Sequence, residues 1–353
     1  MASGVTDPSS FLHNASLCLP HHLPRAASVA LSLFYTVLLV FSALGNVLAL
    51  CLACQKDKKS NSTDVYLAHL AASDLLFTLA LPGKITYYAL DFSWPFGDGL
   101  CRLTAFVFFV NTYGGLYLMT CVSVDRYLAV VGGPRRPPAR SARRARLACA
   151  AVWALASLQT MPLLLVPMTE PVADRLTCME YVSVERVLTL PLTVLVACCA
   201  CFCGPVGIIL FCYVKITLKL WRTGRENPLA GRQGHPRRAC LLVLGLLGTV
   251  VACFSPYHLN VIQFMARELL RPASCPERRA FQLSLQVTVS VMNVSCCIDP
   301  IIYFFASKGY RKWLLSILQS RLGASSSSPG KASSETPSVS QTVGNMPLAE
   351  NRV

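Results

Sequence analysis

The chain has 353 residues, of which 54% are hydrophobic and only 14% charged, yet its formal net charge is +15. A chain this hydrophobic is not disordered over most of its length, and its charged fraction lies well below the roughly 25% of an average globular protein, which argues against an ordinary soluble enzyme. Two readings survive, a nucleic-acid binder with a large apolar core or a polytopic membrane protein with basic loops, and the placement of the charges separates them.

Residues 1–25 hold Pro, His and polar residues without an apolar h-region, so they predict an outer N-terminal segment and no cleavable signal peptide. Six charge-free runs follow, each bounded by the charges named here. They are 30 residues between Arg25 and Lys56, 22 between Arg102 and Asp125, 23 between Arg146 and Glu170, 28 between Arg186 and Lys215, 28 between Arg238 and Arg267, and 19 between Arg279 and Asp299. A further apolar segment, about 64–90, is interrupted by Asp74 and Lys84. About 20 apolar residues cross the hydrocarbon as a helix. Seven such segments in one chain predict an all-α, seven-transmembrane helix bundle over residues 26–306.

The loops orient it. Lys56, Lys58 and Lys59 follow the first run. Arg135, Arg136, Arg140, Arg143, Arg144 and Arg146 follow the run between Arg102 and Asp125, with no acid among them. The stretch from Lys215 to Arg238 and the segment after Lys308 are also basic. The positive-inside rule makes this side cytoplasmic, with the N-terminus outside and the C-terminus inside. The basic runs are then topology determinants beside anionic lipid, not nucleic-acid patches. Asn14-Ala15-Ser16 is an outer glycosylation acceptor; the sequon at Asn61 faces the cytosol and that at Asn293 lies in a span. Residues 307–322 predict an amphipathic helix on the membrane surface, without a cysteine for a palmitoyl anchor. Residues 323–353, rich in Ser, Pro and Thr, predict a disordered cytoplasmic tail open to phosphorylation.

Thirteen of the seventeen cysteines fall in spans or at their ends, as small apolar packing residues. Cys18, Cys101, Cys178 and Cys275 fall on the oxidising side, where four cysteines permit three pairings. The cluster Cys198-Cys199-Ala200-Cys201 has no His or acid beside it, so no metal site is expected there.

One polar signature recurs in each span. These are Asn46, then Leu70-Ala71-Ala72-Ser73-Asp74, then Asp125-Arg126-Tyr127. Trp153 follows, then Pro205 with Tyr213, then Cys253-Phe254-Ser255-Pro256, and finally Asp299-Pro300-Ile301-Ile302-Tyr303. In this order the set resembles the rhodopsin-like G-protein-coupled receptors over about residues 26–320. Asp299 before Pro300, and Phe254 where most such receptors have Trp, are similar to the branch of nucleotide, protease-activated and lipid-mediator receptors. Within that branch further strings resemble the Epstein–Barr-virus-induced, oxysterol-sensing group of chemotactic receptors of lymphoid cells. They are Ile85-Thr86-Tyr87-Tyr88-Ala89, Val110-Asn111-Thr112-Tyr113, Met119-Thr120-Cys121, Thr177-Cys178-Met179-Glu180-Tyr181, Glu226-Asn227-Pro228-Leu229 and Tyr303-Phe304-Phe305-Ala306.

The resemblance implies a multi-pass plasma-membrane receptor, not an enzyme. It implies the pairings Cys101–Cys178 and Cys18–Cys275. It also implies a heterotrimeric G protein of the inhibitory class as partner, with a receptor kinase and arrestin at the tail. The switch residues it implies are Asp125, Arg126, Tyr127, Tyr213, Phe254, Pro256, Asp299, Pro300 and Tyr303, with the inner end of the sixth span swinging outward and Arg143, Arg144, Arg237 and Arg238 lining the cleft. No acid stands at that inner end, which predicts an inactive state easily left. Asn46, Asp74 and Asp299 should meet at mid-depth. Two buried carboxylates repel, so the pair holds a proton or shares a sodium ion, although Gly115 and Ser295 replace residues that often help to hold the ion. No other cofactor or metal is expected.

Ionisable groups inside a membrane are functional candidates, and Lys84 is the one near the outer end of the second span. Phe109 and Tyr113, four apart, share a helix face. With Tyr257, and with Asn111 and His258 near, they predict an apolar ligand slot with few polar handles. By resemblance the ligand is a dihydroxylated cholesterol; by chemistry Lys84 equally serves an acidic lipid. A nucleotide needs several convergent cations, but Val261 stands where the nucleotide receptors that this branch resembles have a basic residue, and no Lys or Arg lies between Arg279 and Lys308. The same gap excludes a retinal Schiff base. A transporter or channel is disfavoured because the chain shows no internal repeat.

Overall fold

The computed structural model describes residues 25–55, 61–132, 141–172, 174–179, 190–226 and 234–306, and also 315, 316 and 319; the side chains at 190, 226, 234–238 and 304–306 are not among those described. Cys18, Asn14, the 133–140 loop, the side chains of Arg237 and Arg238, and most of the expected surface helix and tail lie outside them. The chain divides into a unit ending at Arg311 and a second from Lys312 on, in which residues 315, 316 and 319 are helical.

Among the described residues, seven helices are long and apolar enough to cross a membrane. They are Arg25–Gln55, Ser62–Ala89, Gly97–Val130, Ala142–Leu164, Pro191–Arg225, Ala239–Leu270 and Cys275–Tyr303, here called the first to seventh spans. In the first span, Leu33, Val37, Phe41 and Leu44 point outward while Ser28, Tyr35, Ser42, Asn46 and Ala49 are buried. Lipid tails are as apolar as Leu, so helices gain by close approach and hydrogen bonding and turn small and polar residues inward. At Gly45 a Cβ would lie 2.6 Å from Pro300 Cγ, so glycine lets the first span press against the seventh.

Four spans are interrupted. The second turns at Leu79 and Ala80 and restarts at Leu81 with Pro82 in its first turn. The fifth and sixth contain π-helical segments, Cys199–Cys203 and Val250–Phe254, and the latter runs straight into Pro256. The seventh breaks between Asn293 and Ser295 and carries Pro300 inside its last piece. Proline removes a backbone donor and π turns widen the helix, which frees side chains and carbonyls for the interior.

On the outer side, β1 (Thr169–Val172) and β2 (Arg175–Cys178) form an antiparallel hairpin. It is tied to the third span by the Cys101–Cys178 disulfide, with Cα atoms 5.8 Å apart. Asp98 reinforces the tie, accepting from the Met168 amide at 2.8 Å and the Thr169 amide at 3.0 Å while pairing with Arg102. Cys275 is also disulfide-bonded. At its turn Ser274 and Glu277 form a capping box, and Glu277 binds Arg271 at 2.6 Å. Arg278 reaches Glu268 at 3.3 Å, so the outer ends of the sixth and seventh spans are cross-braced.

Candidate functional site

Three polar or aromatic layers stack through the bundle. In the outer layer the Lys84 ammonium lies 5.0 Å from the Phe108 ring and 5.8 Å from the Tyr35 ring, a cation–π arrangement. Among the described residues no carboxylate lies within ion-pair distance of Lys84. Rings then run inward without a gap. Phe108 meets Phe109 edge-on at 5.0 Å, Phe109 stacks on Tyr113 at 6.3 Å, and Tyr113 faces His258 at 6.1 Å. His258 is fully buried between Phe202, stacked on it at 3.9 Å, and Tyr257, edge-on at 5.0 Å. Its Nδ1 lies 2.9 Å from the Phe254 carbonyl, and its Nε2 has no hydrogen-bond partner among the described residues. A ring nitrogen facing a carbonyl carries the proton, so Nε2 presents a bare lone pair.

On the other side of Lys84, Tyr35 stacks on Tyr88 at 5.2 Å. Tyr88 donates to Gln286 at 2.9 Å, and Asn293 donates to the Tyr35 hydroxyl at 3.0 Å. First, second and seventh spans are therefore joined beside the lysine.

The middle layer is a cavity lined by Asp74, Asn111, Gly115, Ser295 and Asp299, with Phe254 on its wall. The carboxyls of Asp74 and Asp299 both line this one cavity. Both are buried, and Asp74 Oδ2 and Asp299 Oδ1 find no hydrogen-bond partner among the described residues. Asn111, expected near the ligand slot, is instead placed here, accepting from Ser73 at 3.2 Å. Two residues on from Phe109 is about 200° around a helix, which turns it away from the slot. Asn46, expected beside the carboxylates, ties the first span to the seventh by donating to the Cys296 carbonyl at 2.9 Å and to the Ser42 carbonyl at 3.0 Å.

At the inner end Arg126 donates to Asp125 at 2.7 Å. The Asp125 carboxylate also accepts from Ser62 at 2.5 Å and Thr63 at 2.6 Å, at the first turn of the second span. Tyr127 packs on Phe211 of the fifth span, and Tyr303 is buried. Pro256 follows the π segment that ends at Phe254. Arg143 and Arg144 are exposed, the latter amide capped by Ser141 at 3.2 Å.

The sequence profile of the 7 transmembrane receptor (rhodopsin family) group matches residues 45–303. The chain belongs to the rhodopsin family of seven-transmembrane receptors.

Among its relatives, G-protein coupled receptor 183 of Rattus norvegicus is 41% identical over 98% of this chain and 97% of its own length. The Homo sapiens protein of the same name is 41% identical over 97% and 95%. The uracil nucleotide/cysteinyl leukotriene receptor of Homo sapiens is 30% identical over 81% and 75%. This rhodopsin-family member is thus a multi-pass plasma-membrane receptor, not an enzyme, whose family partner is a heterotrimeric G protein.

The receptor brings together Lys84, Phe109, Tyr113, Tyr257 and His258 through a continuous set of rings, and Asp74 with Asp299 around one cavity. Sequence reasoning missed Tyr35, Phe108 and Phe202 in the outer layer, and Ser62 and Thr63 at the inner end. Only the last two had a readable signal, as hydroxyls next to a capping Asn61 at a helix start.

Proposed function

We propose that this receptor senses an extracellular rigid, apolar, hydroxylated lipid of the oxysterol class, signals through the inhibitory class of G proteins, and directs immune-cell migration. What carries the reading is an aromatic cluster in which, among the described residues, the Lys84 ammonium faces rings without a counter-charge and His258 Nε2 has no hydrogen-bond partner. A dihydroxylated sterol supplies the matching acceptor and O–H donor on an apolar frame. The resemblance of the outer halves of the second and third spans to oxysterol-sensing receptors supports the same class. Receptor kinase and arrestin act on the Ser- and Thr-rich tail, and the Asp74–Asp299 cavity, built of hard oxygen donors, holds a proton or a sodium ion.

The test is a lipid screen on membranes of cells expressing the full chain, read as agonist-dependent GTP-analogue uptake by the G protein. A dihydroxylated cholesterol should activate it; Lys84→Ala should reduce potency by about tenfold or more, since a hydrogen bond to a charged group is worth roughly 1.5–3 kcal/mol, and Tyr257→Ala should reduce it severalfold through the lost aromatic contact. Activation by a nucleotide with no lipid response would overturn the reading. An acidic lipid is the second reading, favoured by the absence of a described counter-charge at Lys84; it is distinguished by activity of a carboxylated lipid without hydroxyls.

A further inference from the structure

The inner half of the sixth span offers no carboxylate to Arg126: no Asp or Glu occurs between Glu226 and Glu268. Arg126 is nonetheless buried and held. What surrounds its partner explains how. Asp125 Oδ1 takes the Ser62 hydroxyl at 2.5 Å, and Oδ2 takes both the Thr63 hydroxyl at 2.6 Å and the Arg126 guanidinium at 2.7 Å. Ser62 and Thr63 are 3% and 4% exposed, so water does not compete for these bonds. The turn that carries them is itself fixed, with Asn61 Oδ1 accepting from the Asp64 amide at 3.0 Å and the Asn61 carbonyl from the Val65 amide at 3.2 Å. The carboxylate also sits against the positive end of that helix.

We propose that Ser62 and Thr63 are positioning residues that lock the receptor's inactive state, a two-hydroxyl clamp from the second span that grips Asp125 and through it Arg126. The clamp does the work that a carboxylate on the sixth span would otherwise do. Charge-assisted hydrogen bonds at both oxygens fix the carboxylate's rotation. The Arg126 head is thereby kept at the interface of the second and third spans, away from the G-protein cleft. Moving the inner end of the third span breaks two interhelical bonds as well as the ion pair. Removing both hydroxyls lets Asp125 rotate and lowers the cost of releasing Arg126, so the active population rises without ligand.

The experiment uses the full-length receptor, with Ser62→Ala/Thr63→Val, the single variant Thr63→Val, and the hydroxyl-keeping pair Ser62→Thr and Thr63→Ser. One readout is ligand-free GTP-analogue uptake by a panel of purified heterotrimers at matched receptor amount. A second needs no G protein. Cys240 of the sixth span lies 3.7 Å from Thr217 of the fifth, and its alkylation rate, followed by mass spectrometry, reports their separation. The double variant should raise basal uptake and Cys240 alkylation at least threefold, Thr63→Val should do so in part, and the hydroxyl-keeping variants should stay near the parent. In an Asp125→Asn background the double variant should add nothing. Unchanged or lower values in both readouts, a fall in thermal stability with no rise in alkylation, or full additivity with Asp125→Asn would each overturn the proposal.

Discussion

At the scale of single residues, Lys84 and His258 carry opposite hydrogen-bonding instructions. An ammonium can only donate, and His258 Nε2, with the proton fixed on Nδ1 by the Phe254 carbonyl at 2.9 Å, can only accept. A buried imidazolium without a carboxylate beside it would be costly, which keeps the ring neutral. On the proposed reading, the ligand brings an O–H to His258. Capping that hydroxyl of a sterol agonist as its methyl ether should weaken it on the parent receptor by about 1 kcal/mol, roughly fivefold. On His258→Phe the alcohol and the ether should be equipotent, because the acceptor is gone from both comparisons. Concentration–response curves for the four combinations decide the matter; equal potency of alcohol and ether on the parent receptor would refute this role.

Elements meet where side chains are missing as much as where they are present. Gly45 lets the first span approach Pro300 so closely that an added Cβ would sit 2.6–2.8 Å from the proline ring. Pro300 is rigid and lies inside the seventh helix, so it cannot swing aside. Gly45→Val should destabilise the receptor by about 1–3 kcal/mol through overpacking, seen as a lower unfolding temperature in detergent and reduced surface expression. A variant as stable as the parent would show that the two helices separate at little cost. The same interior explains what could be read beforehand. The seven spans were legible because crossing the hydrocarbon forbids charges for about 20 residues. The break at Leu79 and Ala80 and the two π segments were not, because a nearby proline such as Pro82 or Pro256 marks a disturbance without saying how the turn before it is wound. Helix phase was the other hidden quantity. Lipid and core are equally apolar, so hydrophobicity does not say which face is inside. That is why the sequence does not show that Phe108 meets Lys84 or that Asn111 lines the carboxylate cavity.

Across the whole molecule, the third span contributes to every layer: Cys101 at the outer disulfide, Phe109 and Tyr113 in the slot, Asn111 and Gly115 at the cavity, and Asp125 with Arg126 at the inner end. Phe254 bridges two layers, its carbonyl holding His258 and its side chain walling the carboxylate cavity. A ligand that engages His258 therefore acts one residue contact away from Asp74 and Asp299. If a cation in that cavity favours the inactive arrangement, agonist and cation bind antagonistically, and linkage makes the effect reciprocal. Replacing choline chloride with sodium chloride at constant ionic strength should then lower agonist affinity about fivefold or more, within the usual range of allosteric coupling. Asp74→Asn removes one carboxylate and the proton or cation it requires, so this variant should bind agonist equally in both salts. Radioligand saturation in the two media measures both. Sodium-insensitive affinity in the parent, with a shift in Asp74→Asn basal signalling, would assign the site to a proton shared by the two carboxyls; no change in either would remove the cavity from the switch altogether.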